Sequence, residues 1–516
     1  MSIFPKITPT AASLVVADLR YDRMAGQIAA CGLQGIINRT AAEKLYVHHT
    51  YCADNRGGWN DPEAFGLHMA HTADTWLCDV YSDLPQTVLS SSDDPDYPMF
   101  LTIFRKYKDA VRGAVVYDPA LVQATVTLAV TIAGQKDYLI ASPALLERLE
   151  ALGFDFGEIV DLREQRFPDS PACLAWALEH WFDGAEHKAA FTWSHMTLDA
   201  ESWGAANFDY VVANRLFAFY LNIFDPHERA HYRDVLLRYP AGTPILGWTD
   251  EIVADGLFRS LGMMMIPVIS VENLTVSASF PTLDVSDTVP ALPEAGAPER
   301  DAVYILFQVA DGDNLEHSLV YEPYTMKRDP AFGKIPAAWV MNPALCELAP
   351  RQLAYNMRLL REHGQEPAAM LSDGSPDPDR YTGFANYCAI LRECMKKSGI
   401  VVMKQMADAE AFSWNVAPRV LLSGYSGSDP RGIGPYEAHL DGETLHLGVK
   451  PLGECDLESV IRGGETPLFL SVFAGTAMGP VASQIAKAAE SLRAALPDKK
   501  LYFVTPSEAY ALFRKV

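Results

Sequence analysis

Short apolar runs alternate with longer amphipathic stretches along the first half of the chain. The runs are rich in Val, Ile and Leu, which predicts strands at 13–18, 44–49, 113–118, 137–141, 210–213, 245–249 and 263–269. The spacing of apolar residues predicts amphipathic helices at 23–38, 120–133 and 143–152. Because strands that alternate with helices form βα units, the first half is predicted to be an α/β domain with a mostly parallel sheet.

A stretch with several prolines interrupts this alternation. Prolines stand at 281, 290, 293 and 298, and the residues around them have little periodicity. A Pro-rich stretch without helical periodicity is typical of a connection between domains. We therefore predict an N-terminal domain at 1–270, a connector at 271–300 and a C-terminal domain at 301–516.

The alternation of strands and helices resumes after the connector. Apolar runs predict strands at 303–310, 337–341, 367–371, 400–405, 419–422, 467–473 and 501–504. Helices are predicted at 350–363, 381–398, 479–496 and 506–514. Parallel strands separated by helices predict a closed or nearly closed (β/α) barrel, and a doubly wound open sheet is the alternative.

Composition and charge narrow the class of protein. The chain has 516 residues, is 49% hydrophobic and 21% charged, and so resembles a folded α/β enzyme of more than one domain. Its net charge of -23 argues against nucleic acid or an anionic membrane as partner, because phosphate binding needs clustered Lys and Arg. The sequence shows no apolar leader, no uncharged segment of membrane-spanning length, and no Cys-x-x-Cys pair among its eight cysteines. We therefore expect a cytoplasmic protein with free thiols.

The predicted strand that ends at Ala310 is the most informative run, because the motif Asp311-Gly-Asp-Asn314 follows it directly. A glycine between two acids ends the strand, so two carboxylates and a carboxamide are predicted at one edge of the sheet. In α/β folds that edge collects active-site groups. The alternative is an ordinary turn, in which the Asp and Asn side chains bond to their own backbone.

Other polar residues follow the later predicted strands of the C-terminal domain. They are Asn342, Asp373, Asp408, Glu410 and Tyr425. Several acids that meet at one rim without Lys or Arg repel one another, which raises the pKa of at least one of them. A raised pKa suits a general acid that works beside an ionised base or nucleophile.

Two kinds of enzyme use such a rim of acids. Glycoside hydrolysis needs two carboxyl groups on either side of the scissile bond. A metal-dependent hydrolase or deacetylase would instead use the acids as oxygen ligands of a hard divalent metal, although the full calcium-loop pattern is absent. No cofactor is expected apart from the divalent metal that the second kind of enzyme would need.

Taken in order along the chain, several motifs resemble the GxGYxYP family, whose members are assigned as glycoside hydrolases largely by fold. The motifs are Ser13-Leu-Val-Val-Ala-Asp18, Leu33-Gln-Gly-Ile-Ile-Asn-Arg39, Trp76-Leu77, Val116-Tyr-Asp-Pro119, Gly247-Trp-Thr-Asp-Glu251, Glu272-Asn-Leu-Thr-Val276, Asp311-Gly-Asp-Asn314, Trp339-Val-Met-Asn-Pro343 and Glu347-Leu-Ala-Pro350. The resemblance spans nearly the whole chain. It implies carbohydrate chemistry by analogy, with a small carbohydrate or glycoconjugate as the partner molecule.

The chain departs from the family at the family's naming motif. At that place it reads Ser372-Asp-Gly-Ser-Pro-Asp-Pro378, so that Gly374 and Pro378 stay in register but the first Gly and both Tyr are replaced. A tyrosine pair could stack on a sugar, whereas aspartates offer charge. This departure adds a third alternative, a carbohydrate-binding protein without catalysis.

The strand ends provide the predicted catalytic residues of a glycosidase. Asp311 and Asp313 are predicted to lie nearest the chemistry, and Asp373 is the candidate general acid or base. Asp408 or Glu410 would complete the pair of carboxyl groups.

Substrate contacts are predicted from the amides, aromatic residues and one acid near the same strand ends. Asn314 and Asn342 would bond to sugar hydroxyls, Trp339 or Tyr425 would stack on the sugar, and Glu251 would face the site from the N-terminal domain. That domain is otherwise predicted to shape substrate access. Its Gly35 is predicted to be a helix-packing glycine.

Overall fold

A computed structural model describes residues 2–49, 72–193, 207–249, 257–258, 260–268, 271–288, 290–372, 383–405, 414–423, 438–453 and 456–516. The chain forms two compact units. Unit 1 comprises Met1–Thr282 with Glu347–Arg351, and unit 2 comprises Leu283–Cys346 with Gln352–Val516. Within the described residues, no helix is both long enough and apolar enough to cross a membrane.

The described part of unit 1 consists of short parallel strands and the helices between them. The strands are β1 (Ser13–Asp18), β2 (Glu43–His48), β3 (Gln86–Val88), β4 (Gly113–Val116), β5 (Tyr138–Ala141), β6 (Ile159–Asp161), β7 (Glu186–Thr192), β8 (Leu216–Phe219), β9 (Pro244–Gly247) and β10 (Met264–Pro267). The α-helices are α1 (Met24–Asn38), α2 (Pro98–Tyr107), α3 (Thr125–Lys136), α4 (Pro143–Ala151), α5 (Ser170–His180), α6 (Phe208–Ala213), α7 (Pro226–Leu236) and α8 (Leu274–Ser277). A π-helical turn at Trp76–Val80 and 3₁₀ turns at Lys108–Ala110 and Leu162–Gln165 complete the set.

The strands of unit 1 pair into three small sheets in the described residues. Their orders are β2-β1-β3, β5-β4-β6 and β10-β9-β7-β8, and all the pairings are parallel. Parallel pairing requires crossover connections, which the intervening helices supply. The predicted parallel α/β organisation of this half is confirmed.

The contacts of helix α1 explain two residues of the sequence motif at 33–39, Gln34 and Gly35. The Gln34 amide donates to the carbonyl oxygen of Leu45 at 2.8 Å and to Oδ1 of Asn273 at 2.7 Å, so it joins α1 to β2 and to the start of α8. A Cβ atom at Gly35 would lie 2.5 Å from the carbonyl oxygen of Asp209. Glycine therefore lets α1 and α6 pack closely, which confirms the packing role predicted for Gly35.

The prediction of a strand at 210–213 is wrong, because these residues belong to helix α6. All six residues of α6 are buried, and the helix packs against α1 and α3. A short apolar run that is buried on every side carries no periodicity, so it fits a strand as well as a helix. The strands β3, β6, β7 and β8 were not predicted, and β3 and β6 are only three residues long.

The remainder of the described chain adds nine strands and seven α-helices. The strands are β11 (Ala302–Ala310), β12 (Ala337–Met341), β13 (Glu366–Ala369), β14 (Val402–Gln405), β15 (Val420–Ser423), β16 (Ala438–Asp441), β17 (Thr444–Pro451), β18 (Leu468–Thr476) and β19 (Lys500–Phe503). The helices are α9 (Glu322–Arg328), α10 (Leu345–Leu348), α11 (Pro350–Glu362), α12 (Phe384–Ser398), α13 (Leu457–Gly463), α14 (Val481–Ala495) and α15 (Pro506–Phe513). A π-helical stretch at His317–Tyr321 precedes α9 directly.

Eight of these strands form a parallel, barrel-like sheet in unit 2. The order is β12-β13-β14-β15-β17-β18-β11-β19, and β11 also pairs with β12 through Phe307, Gln308 and Val309. β11 therefore pairs with β12 on one side and β18 on the other, which closes the strands into a ring. β19 pairs with the N-terminal half of β11, and β16 pairs antiparallel with β17. The predicted α/β fold with a C-terminal (β/α) barrel-like domain is confirmed. Strands β16 and β17 were not among the predicted strands.

Alternate residues of the strands fill the barrel. Members of one buried cluster come from every strand of the parallel sheet except β19 and include Leu306, Val340, Val402 and Leu422. Helix α15 contributes Ala509 and Tyr510 to the same cluster.

Helix α15 lies across the N-terminal ends of the strands. The backbone N–H of Ser507 donates to Glu366 at the start of β13, and Arg419, just before β15, donates to the Ser507 hydroxyl at 3.0 Å. The carboxyl ends of the strands, where parallel barrels carry their chemistry, lie at the opposite end.

Candidate active site

The turn after β11 is held in a strained conformation. Asp311 has a φ of 78°, a left-handed conformation that is uncommon for residues other than Gly, although Asn and Asp adopt it more often than the rest. A Cβ atom at the next residue, Gly312, would lie 1.4 Å from the carbonyl oxygen of Val340 on β12. The turn is therefore pressed against the neighbouring strand. Strained backbone of this kind concentrates at functional sites.

Asn314 begins the helix that follows this turn. Its Oδ1 atom accepts a hydrogen bond from the backbone N–H of Glu316 at 3.0 Å, and its own N–H donates to the carbonyl oxygen of Asp311 at 3.2 Å. This is the usual role of an asparagine at a helix N-terminus. The side-chain oxygen of Asn314 therefore caps the helix. This local bond to the backbone is the one expected if the motif 311–314 is an ordinary turn, which was the alternative to an active-site edge.

Asn342 fastens the ends of three neighbouring strands. Its amide donates to the carbonyl oxygens of Asp313 at 2.6 Å and Leu371 at 3.0 Å, and its backbone N–H donates to the hydroxyl of Ser318 at 3.2 Å. Both amide hydrogens are used, and the side chain is fully buried. Asn342 therefore positions the site, and the predicted contact with a sugar hydroxyl is not part of the site proposed below.

Asp311 and His317 form the central pair of the candidate site. The Nε2 atom of His317 donates to Oδ2 of Asp311 at 2.9 Å, and the Asp311 side chain is 47% exposed whereas His317 is 3% exposed. Partial burial favours the neutral form of Asp311, but the hydrogen bond and charge of His317 outweigh it and hold the pKa of Asp311 below its usual value. Asp311 is therefore an ionised carboxylate that is open to solvent on one side and fixed by an imidazole on the other.

Glu322 has the opposite environment. It is fully buried, and neither carboxyl oxygen has a hydrogen-bond partner among the described residues. Burial, together with the negative charge of nearby Asp311, raises the pKa of Glu322 well above its usual value. Two neighbouring carboxyl groups whose environments separate their pKa values in this way are typical of acid–base sites.

The interior of the barrel carries further polar groups near its carboxyl end. Gln308 and Ser471 lie between members of the buried cluster on β11 and β18, and the Gln308 amide donates to the Ser471 hydroxyl at 3.2 Å. Lys404 is two residues beyond Val402 on β14, so it faces the same interior. Its complete burial lowers the pKa of the Lys404 ammonium to about 7.

Two other predicted site residues are buried. Asp313 is 6% exposed, and its carbonyl oxygen is the one that Asn342 binds. Trp339 is 1% exposed, donates to Oε1 of Gln365 at 3.1 Å, and packs edge-on against Phe332. This is the environment of a core residue, so the proposed site does not include Trp339 as a stacking wall.

The structure brings Asp311, Asp313, Asn314 and Asn342 together at the adjoining ends of β11 and β12. The other predicted residues lie outside the described part of the chain. They are Asp373, Asp408, Glu410, Tyr425 and Glu251.

The structure adds His317, Glu322 and Lys404 to the residues near the candidate site, and the sequence analysis named none of them. An acid six residues before His317 forms no recognised motif with it. Glu322 stands directly before Pro323, and a proline at that place is a signal for an interrupted helix. Lys404 is a charged residue at an inward position of an apolar strand, and that alternation could have been detected.

The described residues contain no candidate metal site built from three or more His, Cys, Asp or Glu side chains. Among them, no three His, Cys, Asp or Glu side chains are grouped so that they could hold a metal ion.

A family comparison matches part of unit 1. Residues 111–185 match the model of the GxGYxYP_N second domain. They contain the sheet β5-β4-β6 and the helices α3, α4 and α5. The resemblance inferred from sequence motifs is therefore confirmed over this segment. No curated protein matches the chain.

One solved structure shares the fold of the whole chain. A crystal structure from Bacteroides thetaiotaomicron VPI-5482, described as a "putative hydrolase", matches with a TM-score of 0.75 and 16% identity, and covers 100% of this chain and 98% of that one. At that identity the likeness shows the fold alone. The 4-alpha-glucanotransferase of Thermococcus litoralis covers 40% of this chain and 37% of its own, at 14% identity and a TM-score of 0.24, which is too low to carry an argument.

Proposed function

We propose that the protein is a hydrolase that cleaves a glycosidic bond in a small carbohydrate or glycoconjugate. The observation that carries the proposal is the Asp311–His317 pair at 2.9 Å, with Asp311 ionised and half-exposed after a strand of a parallel barrel. Active sites of such barrels lie at the carboxyl ends of the strands. Fixed carboxylates in that place are the groups that glycoside hydrolysis requires.

In this proposal Asp311 is the nucleophile or the general base. Its hydrogen bond from His317 occupies Oδ2, so Oδ1 is the oxygen available to the sugar carbon or to the attacking water. The general acid that protonates the leaving oxygen would come from the acids after the neighbouring strands. Asp373, Asp408 and Glu410 are the candidates that the sequence offers.

Two comparisons support the proposal. The structural neighbour that matches the whole chain is described as a "putative hydrolase". Residues 111–185 match a domain of the GxGYxYP family, and the sequence resemblance to that family implies carbohydrate chemistry by analogy.

The proposal is tested with a panel of 4-nitrophenyl glycosides of different sugars and both anomers. Wild type is compared with Asp311→Asn and with Asp498→Asn, a matched change of an exposed aspartate in the same unit. We expect wild type and Asp498→Asn to release nitrophenol from at least one glycoside, and Asp311→Asn to be almost inactive with its melting temperature unchanged.

Other outcomes separate the alternatives. Hydrolysis that disappears with a chelator and returns with Mg²⁺ or Mn²⁺ would indicate the metal-dependent hydrolase. Thermal stabilisation by a sugar without hydrolysis of any glycoside would indicate a binding protein. Full activity of Asp311→Asn would remove Asp311 from the reaction.

A further inference from the structure

Helix α7 of unit 1 carries a histidine pair that the proposed function does not use. Its first turns read His227-Glu-Arg-Ala-His231, which is the pattern His-Glu-x-x-His. On a helix, residues four apart lie on the same face, so two imidazoles at this spacing can bind one zinc ion. A pattern of three fixed residues also occurs by chance, and the geometry of the two side chains therefore decides whether they form a site.

The two imidazoles lie side by side on the exposed face of α7. Their ring centroids are 5.4 Å apart and their planes are at 85°. Because a Zn–N bond is about 2.1 Å long, two imidazoles on one ion place their centroids roughly 5–6 Å apart. The other face of α7 is buried through Tyr232, Val235 and Leu236, whereas His227 is exposed and the His231 side chain is 37% exposed. The helix therefore presents the pair to solvent at a separation that suits a shared metal ion.

A carboxylate fixes the orientation of the second imidazole. Oδ2 of Asp234 lies 3.1 Å from Nδ1 of His231. In the neutral ring Nδ1 then carries the proton that it donates to the carboxylate, which leaves the lone pair of Nε2 for a metal ion. Histidines that bind metals are commonly held in this way, by a carboxylate on the nitrogen that does not touch the metal. This contact is independent of the spacing of the pair, and it points to the same kind of ligand.

The glutamate of the pattern is engaged elsewhere. Oε2 of Glu228 accepts a hydrogen bond from the backbone N–H of Asn222 at 2.7 Å, just before the helix begins. In zinc hydrolases with this pattern the glutamate is the general base, and a third side chain completes the set of ligands. Among the described residues, no third His, Cys, Asp or Glu joins the pair in a metal-binding group. The arrangement is therefore that of a site with two histidine ligands and solvent.

We propose that His227 and His231 bind one divalent transition-metal ion through their Nε2 atoms, with Asp234 as the positioning residue of His231 and water as the remaining ligands. Imidazole suits Zn²⁺, Ni²⁺ and Cu²⁺, whereas Mg²⁺ and Ca²⁺ prefer oxygen ligands. An ion that joins two successive turns binds the folded helix and so stabilises the folded protein. The site does not depend on the proposed glycosidase function.

Calorimetric titration of untagged protein with Ni²⁺ tests the site. Ni²⁺ is the probe because Zn²⁺ also favours thiolates, and Cys78 is an exposed free thiol. Wild type is compared with His227→Gln, His231→Gln, the double variant and Asp234→Ala. His180→Gln is the matched control, because His180 is an exposed helical histidine whose Nδ1 bonds to the carbonyl oxygen of Trp176 but which has no second imidazole four residues away.

We expect wild type and His180→Gln to bind Ni²⁺ equally well at this site. Asp234→Ala should weaken binding by about 10-fold, and each single histidine variant should weaken it at least as much, since a ligand contributes no less than the group that orients it. Ni²⁺ should raise the melting temperature of wild type and leave that of the double variant unchanged. Equal Ni²⁺ binding by wild type and the double variant would overturn the proposal, and melting temperatures without metal show that each variant is folded.

Nitrogen NMR of protein labelled with ¹⁵N-histidine identifies the atoms that hold the metal. One equivalent of Zn²⁺ should shift the Nε2 signals of two histidines, which are assigned by their loss in His227→Gln and His231→Gln. Coordination through Nδ1 of His231 would overturn the role given to Asp234. Casein hydrolysis by the Zn²⁺-loaded protein that disappears in Glu228→Gln would show a zinc peptidase with a further ligand, and the site with two histidines and solvent would then be wrong.

Discussion

Gly312 packs directly against the backbone of Val340. A Cβ atom at residue 312 would lie 1.4 Å from the carbonyl oxygen of Val340 and 2.1 Å from its carbonyl carbon. The contact joins the turn that carries Asp311 to the neighbouring strand β12. Because the obstacle is backbone, no side chain can rotate away to make room. The position of the candidate carboxylate therefore depends on the absence of one methyl group.

Gly312→Ala should destabilise unit 2 by at least about 3 kcal/mol, since overpacking against a strand forces the backbone to move. The midpoint of unit 2 unfolding, followed by hydrogen exchange of the β11 and β12 amides in urea, measures the effect. Gly463→Ala is the matched control, because nothing lies within 4 Å of a Cβ atom at that glycine. Equal stability of the two variants would mean that the turn is not pressed against β12 in solution.

Asp311→Asn should reduce glycoside hydrolysis by about two to four orders of magnitude, as expected for the loss of one acid–base group. Stability should change little, because asparagine tolerates the left-handed backbone that residue 311 adopts. Asp311→Ala should lose the same activity and should also lower the melting temperature. Measured kcat/KM and thermal unfolding of the two variants separate the chemical role from the backbone role.

Asn342→Asp should lower the stability of unit 2 by roughly 1–3 kcal/mol for each carbonyl group that loses its donor. The amide donates to the carbonyl oxygens of Asp313 and Leu371, and a carboxylate has no hydrogen to offer either of them. Asn314→Asp makes the same chemical change at a helix N-terminus, where aspartate caps as well as asparagine. Urea unfolding should therefore show a large loss for the first variant and almost none for the second.

Lys404→Met should stabilise the protein most at neutral pH. Burial lowers the pKa of Lys404 from 10.5 to about 7, so the folded state binds fewer protons than the unfolded state between those values. The stability of wild type should therefore rise with pH from about 7 to about 10.5 relative to the methionine variant. Melting temperatures at pH 7 and pH 9.5 give the difference, with the exposed Lys487→Met as control. A difference that stays constant with pH would show that Lys404 is charged inside the barrel.

The strands of the barrel could be predicted because they are buried on both faces. The run that becomes β11 is apolar throughout and is followed by acids, so both the strand and its end are visible in the sequence. The run at 210–213 looks the same but is a helix, because burial on all sides removes the periodicity that separates the two. Strands β16 and β17 were missed because histidines and acids interrupt their apolar pattern.

The candidate site could be predicted only in part, for a similar reason. Asp311 follows from its place after a strand, which is a local property of the sequence. The pairing of Asp311 with His317 and the burial of Glu322 depend on a π-helical stretch. Apart from Pro323, nothing in the residue pattern predicts that stretch. Trp339 is of a residue type that often stacks on sugars. Its neighbours Ala338 and Val340 face the barrel interior, so the Trp339 side chain lies on the opposite face of the strand.

Strand β11 is both the strand that closes the ring and the strand that carries Asp311. It pairs with β12, which follows it in the chain, and with β18, which is made more than a hundred residues later. A chain that is still being synthesised has Asp311 long before it has the neighbour on the far side of β11. If Asp311 acts as proposed, activity is expected only after β18 has been synthesised and has paired with β11, so that a product truncated before β18 would be inactive even if most of its strands had formed.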